Sequence, residues 1–378
     1  MLVGLSGAAP FSYITNSCDN TVSVIDAASN TATATVNVGS LPFGVAASTD
    51  GTRVYVTNYL SNNVSVIDTT TNTVTATVNV GSLPFGIAVN TGGKKAYVAN
   101  FASNNISVIN TTTNTVITGI SAGNGPWGIA VNPDEKEIYV ANLNSNNISV
   151  INTTTYTIMA RVNVGNGPWG IAVTPDGKKV FVTNSNSSTV SVINATMNKV
   201  VAVINVGNGP WGVAVSPDGK KAYVANSDSN DVSVIDTATN TITTTIKVGS
   251  LPCGVIVNPE GTKVYVVNSD SNNVSIIDTA TNTVTATVKV GRLPVAIGQF
   301  VVPPSPPVFP GYTKPSTDPN HDGLYEDING NGILDFNDVV ADYDNIDWIG
   351  ENAPVAFFDY NKNGLIDYND VIKLSDML

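Results

Sequence analysis

The sequence has very little histidine and cysteine, and this scarcity excludes several kinds of active site. Its 378 residues contain one histidine, His321, and two cysteines, Cys18 and Cys253. No serine–histidine–aspartate or cysteine–histidine pair can therefore form before residue 316. We expect this long first part of the chain not to be an enzyme.

Long apolar runs and an excess of basic charge are also missing. No apolar run approaches the roughly 18 residues that a membrane span needs. The start, MLVGLSGAAP, lacks a basic segment and a full apolar core, so it is either the remnant of a signal peptide or a start introduced by cloning. Residues 316–378 hold 14 acidic and 2 basic residues, which accounts for the whole net charge of −12. The neutral remainder excludes nucleic acid as a partner, and the acidic end favours cations or basic partners.

What the sequence has in abundance is one repeated unit. The tetrapeptide YITN at Tyr13–Asn16 recurs every 42 residues, as YVTN or a close variant, up to Tyr265. A second marker, Pro-aromatic-Gly, keeps the same step from Pro42 and is degenerate at Pro294. Units of about 40 to 45 residues with four strands are typical of propeller blades.

Each unit is predicted to contain four short strands. Between Gly212 and Gly249 the strands are GVAVS, KAYVAN, VSVID and TITTTIKV, joined by polar turns. An Asp or Asn closes the third strand in every copy, as at Asp236 and Asn110, and we expect it to form the turn by accepting backbone amides.

The two ends of the repeat region complete each other. The chain opens at a second strand, Phe11–Asn16, and leaves the repeats after a first strand, Val295–Val302. Joined in one sheet, they would close the ring and remove a free edge. We therefore predict an all-β seven-bladed propeller over residues 1–302, with four-stranded blades and one composite blade.

Two features of the ring leave alternatives open. One aromatic residue precedes the first strand in each of five units, and these residues either pack between blades, which we favour, or form a platform for a glycan or peptide. They are Phe43, Phe85, Trp127, Trp169 and Trp211. Cys18 and Cys253 lie in neighbouring blades, and they form either a disulfide that pins the closure or two separate buried thiols.

The signature YVTN, followed by VSVIDTATNTVTATV, resembles the YVTN-repeat seven-bladed propellers of archaeal surface-layer proteins. The resemblance covers about residues 11–302. It implies an extracellular, cell-surface location and a structural or adhesive role.

A proline-rich segment then marks a domain boundary. Residues 303–315, PPSPPVFPGYTKP, contain six prolines and should form a semi-rigid spacer.

Residues 316–378 contain two copies of a calcium loop, DINGNGILDFND and DYNKNGLIDYND. Oxygen-bearing side chains stand at positions 1, 3, 5, 9 and 12, a glycine at 6 and a backbone carbonyl at 7, as in an EF-hand. The predicted ligands are Asp327, Asn329, Asn331, the carbonyl of Ile333, Asp335 and Asp338, and then Asp359, Asn361, Asn363, the carbonyl of Leu365, Asp367 and Asp370.

Each loop is predicted to lead into an amphipathic helix. Phe336, Val339, Val340 and Tyr343 share one face of the first, and Tyr368, Val371, Ile372 and Ser375 are their counterparts in the second.

A partial third loop precedes them. It is either a third calcium site with a shared ligand or a solvated acidic segment, and its residues are Asp318, Asn320, Asp322 and Glu326.

The pair of loop–helix units resembles a dockerin, the calcium-dependent module that binds cohesin domains. This resemblance implies two Ca²⁺ ions, or three with the partial loop, and a cohesin-like protein partner. Positions 10 and 11, where dockerins select partners, hold Phe336 and Asn337 in one loop and Tyr368 and Asn369 in the other. Familiar dockerins have small hydroxyl residues there, so the partner's identity does not carry over.

We therefore expect a non-enzymatic display, adhesion or assembly protein, with residues 316–378 as its docking module. Two alternatives belong to other classes. One is a propeller enzyme of the lactonase or lyase type docked to a surface complex, and the other is a lectin-like binder that uses the aromatic ring.

Overall fold

The repeats fold into seven antiparallel sheets. The computed structural model describes residues 11–302, 327, 328, 330, 336–352, 358–360 and 366–377. Over these residues every sheet has four strands, and six of the sheets follow the chain order from first to fourth strand. The predicted seven-bladed, four-stranded propeller is confirmed.

The first strands of neighbouring sheets contact each other in succession, so they lie innermost. They are β4 (Pro42–Ala47), β8 (Pro84–Val89), β12 (Pro126–Val131), β16 (Pro168–Val173), β20 (Pro210–Val215), β24 (Pro252–Val257) and β28 (Val301–Val302).

The second strands carry the YVTN signature and are buried along almost their whole length. They are β1 (Phe11–Asn16), β5 (Arg53–Asn58), β9 (Lys95–Asn100), β13 (Glu137–Asn142), β17 (Lys179–Asn184), β21 (Lys221–Asn226) and β25 (Lys263–Asn268).

The third strands are also buried and end at the turn-forming Asp or Asn. They are β2 (Thr21–Asp26), β6 (Asn63–Asp68), β10 (Asn105–Asn110), β14 (Asn147–Asn152), β18 (Thr189–Asn194), β22 (Asp231–Asp236) and β26 (Asn273–Asp278). A short 3-10 turn, Ser185–Ser187, precedes β18.

The outer strands expose most of their residues. They are β3 (Thr31–Asn37), β7 (Thr73–Asn79), β11 (Thr115–Ser121), β15 (Ile158–Asn163), β19 (Lys199–Asn205), β23 (Thr241–Lys247) and β27 (Thr283–Lys289).

The turns follow the chemistry that the sequence predicts. Gly219 in the PDGK turn has φ +71°, the left-handed conformation that glycine adopts without strain. Asp236 accepts the backbone amides of Ala238 and Thr239 at 2.9 and 2.8 Å. Asn110 accepts the backbone amides of Thr112 and Thr113 in its own turn. Asp and Asn can therefore both form this turn.

One composite sheet closes the ring, as predicted. Its order is β28-β1-β2-β3, with Phe11 paired to Val302. The predicted strand Val295–Val302 is shorter in the structure, because only Val301–Val302 forms a continuous ladder. Before it, the contacts with β1 include a bridge from Asn16 to Pro294 and hydrogen bonds from the Val295 amide to the Thr15 carbonyl at 3.0 Å and from the Tyr13 amide to the Phe300 carbonyl at 2.8 Å.

The propeller forms one compact unit over Pro10–Pro303, and the C-terminal helices belong to another. The helices described there are α1 (Phe336–Asn352) and α2 (Tyr368–Ser375). Neither of them is long and apolar enough to cross a membrane. Their core contains Ile328, Val339, Ala341, Ile346, Ile349, Phe358, Tyr360, Val371 and Leu374.

The predicted apolar faces of these helices are partly wrong. Val339 and Val371 are buried, but the other described members of the two faces are exposed, namely Val340, Tyr343, Tyr368, Ile372 and Ser375. The buried stripe of α1 instead continues through Ala341 to Ile346 and Ile349, all outside the predicted face.

Candidate functional site

The aromatic residues that precede the inner strands form a continuous arc. Ring centroids are 4.7 Å apart for Phe43 and Phe85, 3.6 Å for Phe85 and Trp127, 4.6 Å for Trp127 and Trp169, and 4.1 Å for Trp169 and Trp211. Phe85 is buried and the other four are half-buried. Packing of each ring against the next supports the interpretation that we favoured from the sequence, while the half-exposed rings leave an aromatic surface open to a ligand.

The glycine after each aromatic residue lets neighbouring blades touch through their backbones. A β-carbon on Gly86 would collide with the carbonyl oxygen of Trp127, and one on Gly128 with that of Trp169. The same clash recurs at Gly44, Gly170, Gly212 and Gly254. The glycine of the Pro-aromatic-Gly marker is therefore required for blade packing, a role that the sequence interpretation missed.

The asparagine of the YVTN signature is a buried hydrogen-bond donor. Asn58 donates to the Asn63 side chain at 2.8 Å and to Ser65 Oγ at 2.9 Å. All seven copies are fully buried and repeat this pair of bonds. The amide nitrogen of each copy is satisfied in this way, whereas among the described residues only the Oδ1 of Asn142 has a partner, the Gly123 amide. The donated bonds join the second strand to the third, so the signature serves the fold.

The cysteines are free thiols, so the disulfide alternative does not hold in this structure. Cys253 is fully buried and donates to the carbonyl oxygens of Val267 and Pro294, both at 3.4 Å. Burial raises the pKa of its thiol to about 12. Cys18 is exposed, which also differs from the alternative of two buried thiols.

A polar cleft of about 410 Å³ lies between turns of the blades that contain β12 and β16. Its ion pairs, Asp134 with Lys136 and Asp176 with Lys178, are solvent-exposed. Hydrogen bonds from Thr174 and from the Lys178 amide hold the pKa of Asp176 below its ordinary value. In the described part of the chain, no three His, Cys, Asp or Glu residues are grouped so as to hold a metal ion.

Five of the predicted calcium ligands lie among the described residues: Asp327, Asp338, Asp359, Asp367 and Asp370. Asp327 and Asp359, at position 1 of the two loops, and Asp338 and Asp370, at position 12, are all buried. Each helix begins at position 10 of its loop, so Asp338 and Asp370 lie in the first helical turn.

The start of α2 is organised by two of these loop residues. Asp367, at position 9, accepts the Asn369 amide at 2.8 Å, and Asp370 accepts the Asp367 amide at 2.9 Å. This capping box holds the last carboxylate of the loop at the N-terminus of the helix.

The other predicted ligands lie outside the described residues. For the two loops they are Asn329, Asn331, Ile333, Asp335, Asn361, Asn363 and Leu365, and for the partial loop Asp318, Asn320, Asp322 and Glu326. Every side chain in the donor set offers oxygen, the ligand atom that calcium prefers. The members that lie among the described residues are not grouped closely enough to hold an ion by themselves.

One further acidic residue in this unit was not predicted as a site residue. Asp342 on α1 is only 1 % exposed, and neither carboxylate oxygen has a hydrogen-bond partner among the described residues. Burial, and then the negative charge of Asp370, raise the pKa of Asp342 to about 7. A buried carboxylate without a partner is rare in a stable fold.

The two helices also carry an exposed apolar patch, which we call the tyrosine patch. It consists of Val340, Tyr343, Tyr368 and Ile372, which are 42, 57, 56 and 61 % exposed. The rings of Tyr343 and Tyr368 lie 5.5 Å apart and join the two halves. Of the predicted partner contacts, Asn337, Tyr368 and Asn369 are exposed, and the side chain of Phe336 lies outside the described residues.

The fold defines a class, the seven-bladed all-β propellers with four-stranded blades. A model of the YNCE-like beta-propeller family matches residues 1–94, 88–173 and 145–219. The chain therefore belongs to the YNCE-like β-propeller family. No curated protein matches it.

Solved structures with the same architecture include an enzyme and a protein of unknown function. Hydrazine synthase from Kuenenia stuttgartiensis has 25 % identity and a TM-score of 0.67, over 73 % of this chain and 94 % of that one. A functionally unknown protein from Desulfotomaculum acetoxidans has 17 % identity and a TM-score of 0.66, over 76 % of this chain and 99 % of that one. The second likeness shows the fold alone.

Proposed function

We propose that this protein is a non-enzymatic display or assembly protein of the cell surface. Its propeller is the interaction scaffold. Residues 316–378 form a dockerin-like module that is loaded with calcium and docks onto a cohesin-like protein partner. The archaeal surface-layer resemblance of the repeats and the calcium loops together support an extracellular location.

The observation that carries this proposal is the burial of four carboxylates at matching loop positions. Asp327, Asp338, Asp359 and Asp370 are all buried within a unit of strongly acidic sequence. Buried like charges in a small core oppose folding, and a hard dication surrounded by oxygens offsets that cost. Calcium binding would then contribute directly to the folding of the module.

The tyrosine patch supports a docking role. Apolar side chains grouped on one surface favour contact with a partner, and tyrosine is enriched at interfaces. Two of the four residues, Tyr343 and Tyr368, face each other across α1 and α2. Their position on the helices that follow the loops means that calcium, by ordering the helices, would also order the patch.

The repetition of the propeller supports a scaffold over a catalyst. The residues that recur in it, such as Gly86, Asn58 and Asp236, are used in blade packing, strand pairing and turns. Asp134 and Asp176 of the polar cleft are paired with lysines and exposed to solvent, so neither is a buried reactive group.

The proposal is tested with the full-length protein. Calorimetric titration of the calcium-stripped chain should show at least two binding events, and Asp327→Asn with Asp359→Asn should remove both.

Immobilised protein should then capture an envelope protein in calcium and release it in chelator. Tyr368→Ser with Ile372→Ser should bind calcium normally but lose the captured protein. Absence of calcium binding in the wild type, or capture that is indifferent to chelator and patch, would refute the docking role.

Two other functions have a specific observation in their favour. The similarity to hydrazine synthase, an enzyme, supports the alternative of a propeller enzyme. The half-exposed arc from Phe43 to Trp211 supports a lectin-like binder. We rank both lower, because the propeller sequence has no histidine and its rings already stack on one another.

A further inference from the structure

The polar cleft between the blades of β12 and β16 interrupts a contact that other blades share. In four blades the first residue of the second strand is basic, and its side chain donates a hydrogen bond to a backbone carbonyl of the next blade. The pairs are Arg53 with Thr111, Lys179 with Thr237, Lys221 with Thr279, and Lys263 with Ala27. A cationic side chain therefore bridges each of these joints between blades.

At the cleft the residue in this position is a glutamate. Glu137, the first residue of β13, stands 42 residues before Lys179, and its carboxylate accepts the Tyr139 hydroxyl at 2.7 Å. The carbonyl that a lysine would reach belongs to Ala195, which stands 42 residues before Thr237 and lines the cleft. An ionised carboxylate accepts hydrogen bonds and donates none, so this joint holds acceptors where the others also hold a donor.

A side chain that fills the preceding joint is missing from the cleft as well. Glu135 lies in the turn before β13, and its carboxylate accepts the side-chain amide of Asn90 at 2.7 Å and the backbone amide of Gly92. The residue at the equivalent position of the next turn is Gly177, which has no side chain. The space that a carboxylate occupies between one pair of turns is therefore open, with a volume of about 410 Å³, between the next pair.

The cleft is also lined by a buried acceptor that lacks a donor. Asn132 is only 6 % exposed, and its Oδ1 has no hydrogen-bond partner in the part of the chain that the structure describes. The equivalent oxygen of Asn90 accepts the Lys95 amide at 2.7 Å. A β-carbon on Gly177 would lie 2.5 Å from the Asn132 oxygen, so this oxygen points across the cleft toward the next blade. A buried oxygen of this kind costs free energy until a donor reaches it.

We propose that the cleft binds a primary alkylammonium group, which takes the place of the lysine that this joint lacks. The ammonium donates to the Asn132 Oδ1, to the Ala195 carbonyl and to the Glu137 carboxylate. The ammonium groups of the lysines in the other joints are held by a backbone carbonyl, so such a group does not need the cluster of carboxylates that a metal ion requires.

The charge of the lining agrees with a cationic ligand. The cleft has three acidic and two basic side chains, a net charge of −1, and they are Asp134, Glu137, Asp176, Lys136 and Lys178. Opposite charge across an interface favours the matching ligand and its orientation. The ligand is either a lysine side chain of a partner protein or a free diamine, because both carry the same ammonium group on an alkyl chain.

The test is an NMR titration of the full-length protein at pH 7, in which the backbone amide shifts of Asn132, Gly177 and Ala195 are followed. The probe is n-butylammonium, and tetramethylammonium is the control, since it has the same charge but no N–H donor. We expect saturable shifts at the cleft with the first cation and none with the second. The absence of saturable shifts with n-butylammonium, or equal shifts with both cations, would overturn the inference.

Two variants should close the site in opposite electrostatic senses. Glu137→Lys restores the lysine of the other joints, so its own ammonium should reach Ala195 and weaken binding by about tenfold or more. Gly177→Glu places a carboxylate where the preceding joint has Glu135, which adopts φ +59° in its turn. It should weaken binding by a similar factor because it fills the cleft, although it adds negative charge. Unchanged binding in Glu137→Lys, or tighter binding in Gly177→Glu, would contradict the site.

Asp270→Lys is the matched control for charge. Asp270 is exposed in another blade, and its replacement changes the net charge by as much as Glu137→Lys does. This variant should bind n-butylammonium as the wild type does, and an equal loss of affinity in the two variants would reduce the effect to long-range charge and refute the proposal.

A final comparison identifies the source of the ammonium group. A short peptide with one lysine and capped ends is titrated beside cadaverine, a free diamine. Tighter binding of the peptide indicates a protein partner, and tighter binding of cadaverine indicates a free amine. Acetylation of the lysine should abolish binding of the peptide, and a peptide that binds equally well when acetylated would count against the site. The cleft is independent of residues 316–378, so failure here leaves the proposed docking function intact.

Discussion

The hydroxyl of Thr57 donates a hydrogen bond of 2.6 Å to the carbonyl oxygen of Phe85, which belongs to the next blade. The same hydroxyl accepts the amide of Gly44 at 2.8 Å. Thr183 repeats this arrangement with Trp211 and Gly170. The YVTN signature and the Pro-aromatic-Gly marker, which are separate in the sequence, thus meet in one joint between blades.

Substitution of the glycine in this joint should destabilise the propeller. In Gly86→Ala the new β-carbon would meet the Trp127 carbonyl, so neighbouring blades must separate. We expect the free energy of unfolding to fall by about 1–3 kcal/mol, the usual cost of overpacking. Urea denaturation followed by tryptophan fluorescence measures it. Gly119→Ala on β11 is the control, because its β-carbon would lie 3.8 Å from the nearest atom. Equal effects of the two substitutions would contradict the proposed backbone contact.

The buried asparagine of the signature should be equally important. Asn58→Ala removes both donated bonds and leaves the acceptors at Asn63 and Ser65 without that donor. We expect a loss of about 1–3 kcal/mol in the free energy of unfolding. The control is Asn79→Ala, which removes an exposed asparagine on β7. It should change the free energy of unfolding by less than about 0.5 kcal/mol. Thermal or urea melts of the two variants give the comparison, and a neutral Asn58→Ala would show that burial of the signature residue is incidental.

The propeller could be predicted closely because its signals are local and repeated seven times. The predicted strands KAYVAN and VSVID correspond to β21 (Lys221–Asn226) and β22 (Asp231–Asp236) within one residue. Turn chemistry at Asp236 and the composite closure also follow from residue type and spacing. Such features depend on a period that the sequence displays directly.

Contacts between elements could not be predicted in the same way. The burial of Cys253 depends on how β24 packs against β25 and the closing segment. The spacing of residues in the sequence does not reveal this packing. On α1 the predicted face followed Phe336, Val339, Val340 and Tyr343, whereas the buried stripe passes through Ala341, Ile346 and Ile349. The exposed position of Tyr343 therefore became clear only from the structure.

Closure of the ring should depend on one aromatic side chain near the end of the propeller. Phe300 is fully buried among residues of the first and last blades, and its carbonyl accepts the Tyr13 amide at 2.8 Å. Phe300→Ala would leave a cavity, so we expect the free energy of unfolding to fall by about 3–5 kcal/mol.

Hydrogen–deuterium exchange can locate this effect. Amides of β1 should exchange faster in Phe300→Ala, whereas those of β13, on a distant blade, should change little. Val203→Ala, a truncation of a side chain that is 62 % exposed on β19, is the control for a generic loss of apolar volume. Uniformly faster exchange in all blades would indicate global destabilisation instead of an opened closure.

The two cysteines should differ sharply in reactivity. Only the thiolate form attacks a disulfide reagent, and burial raises the pKa of Cys253 to about 12, so at pH 8 this thiol is neutral as well as inaccessible. Cys18 is exposed and should react at once. Titration of the native protein with an aromatic disulfide reagent should therefore release one equivalent rapidly, and a second only after denaturation. Cys18→Ser should release none in the native state. A native protein that releases nothing until a reductant is added would contain the disulfide after all, and two rapid equivalents would mean that the Cys253 environment opens to solvent.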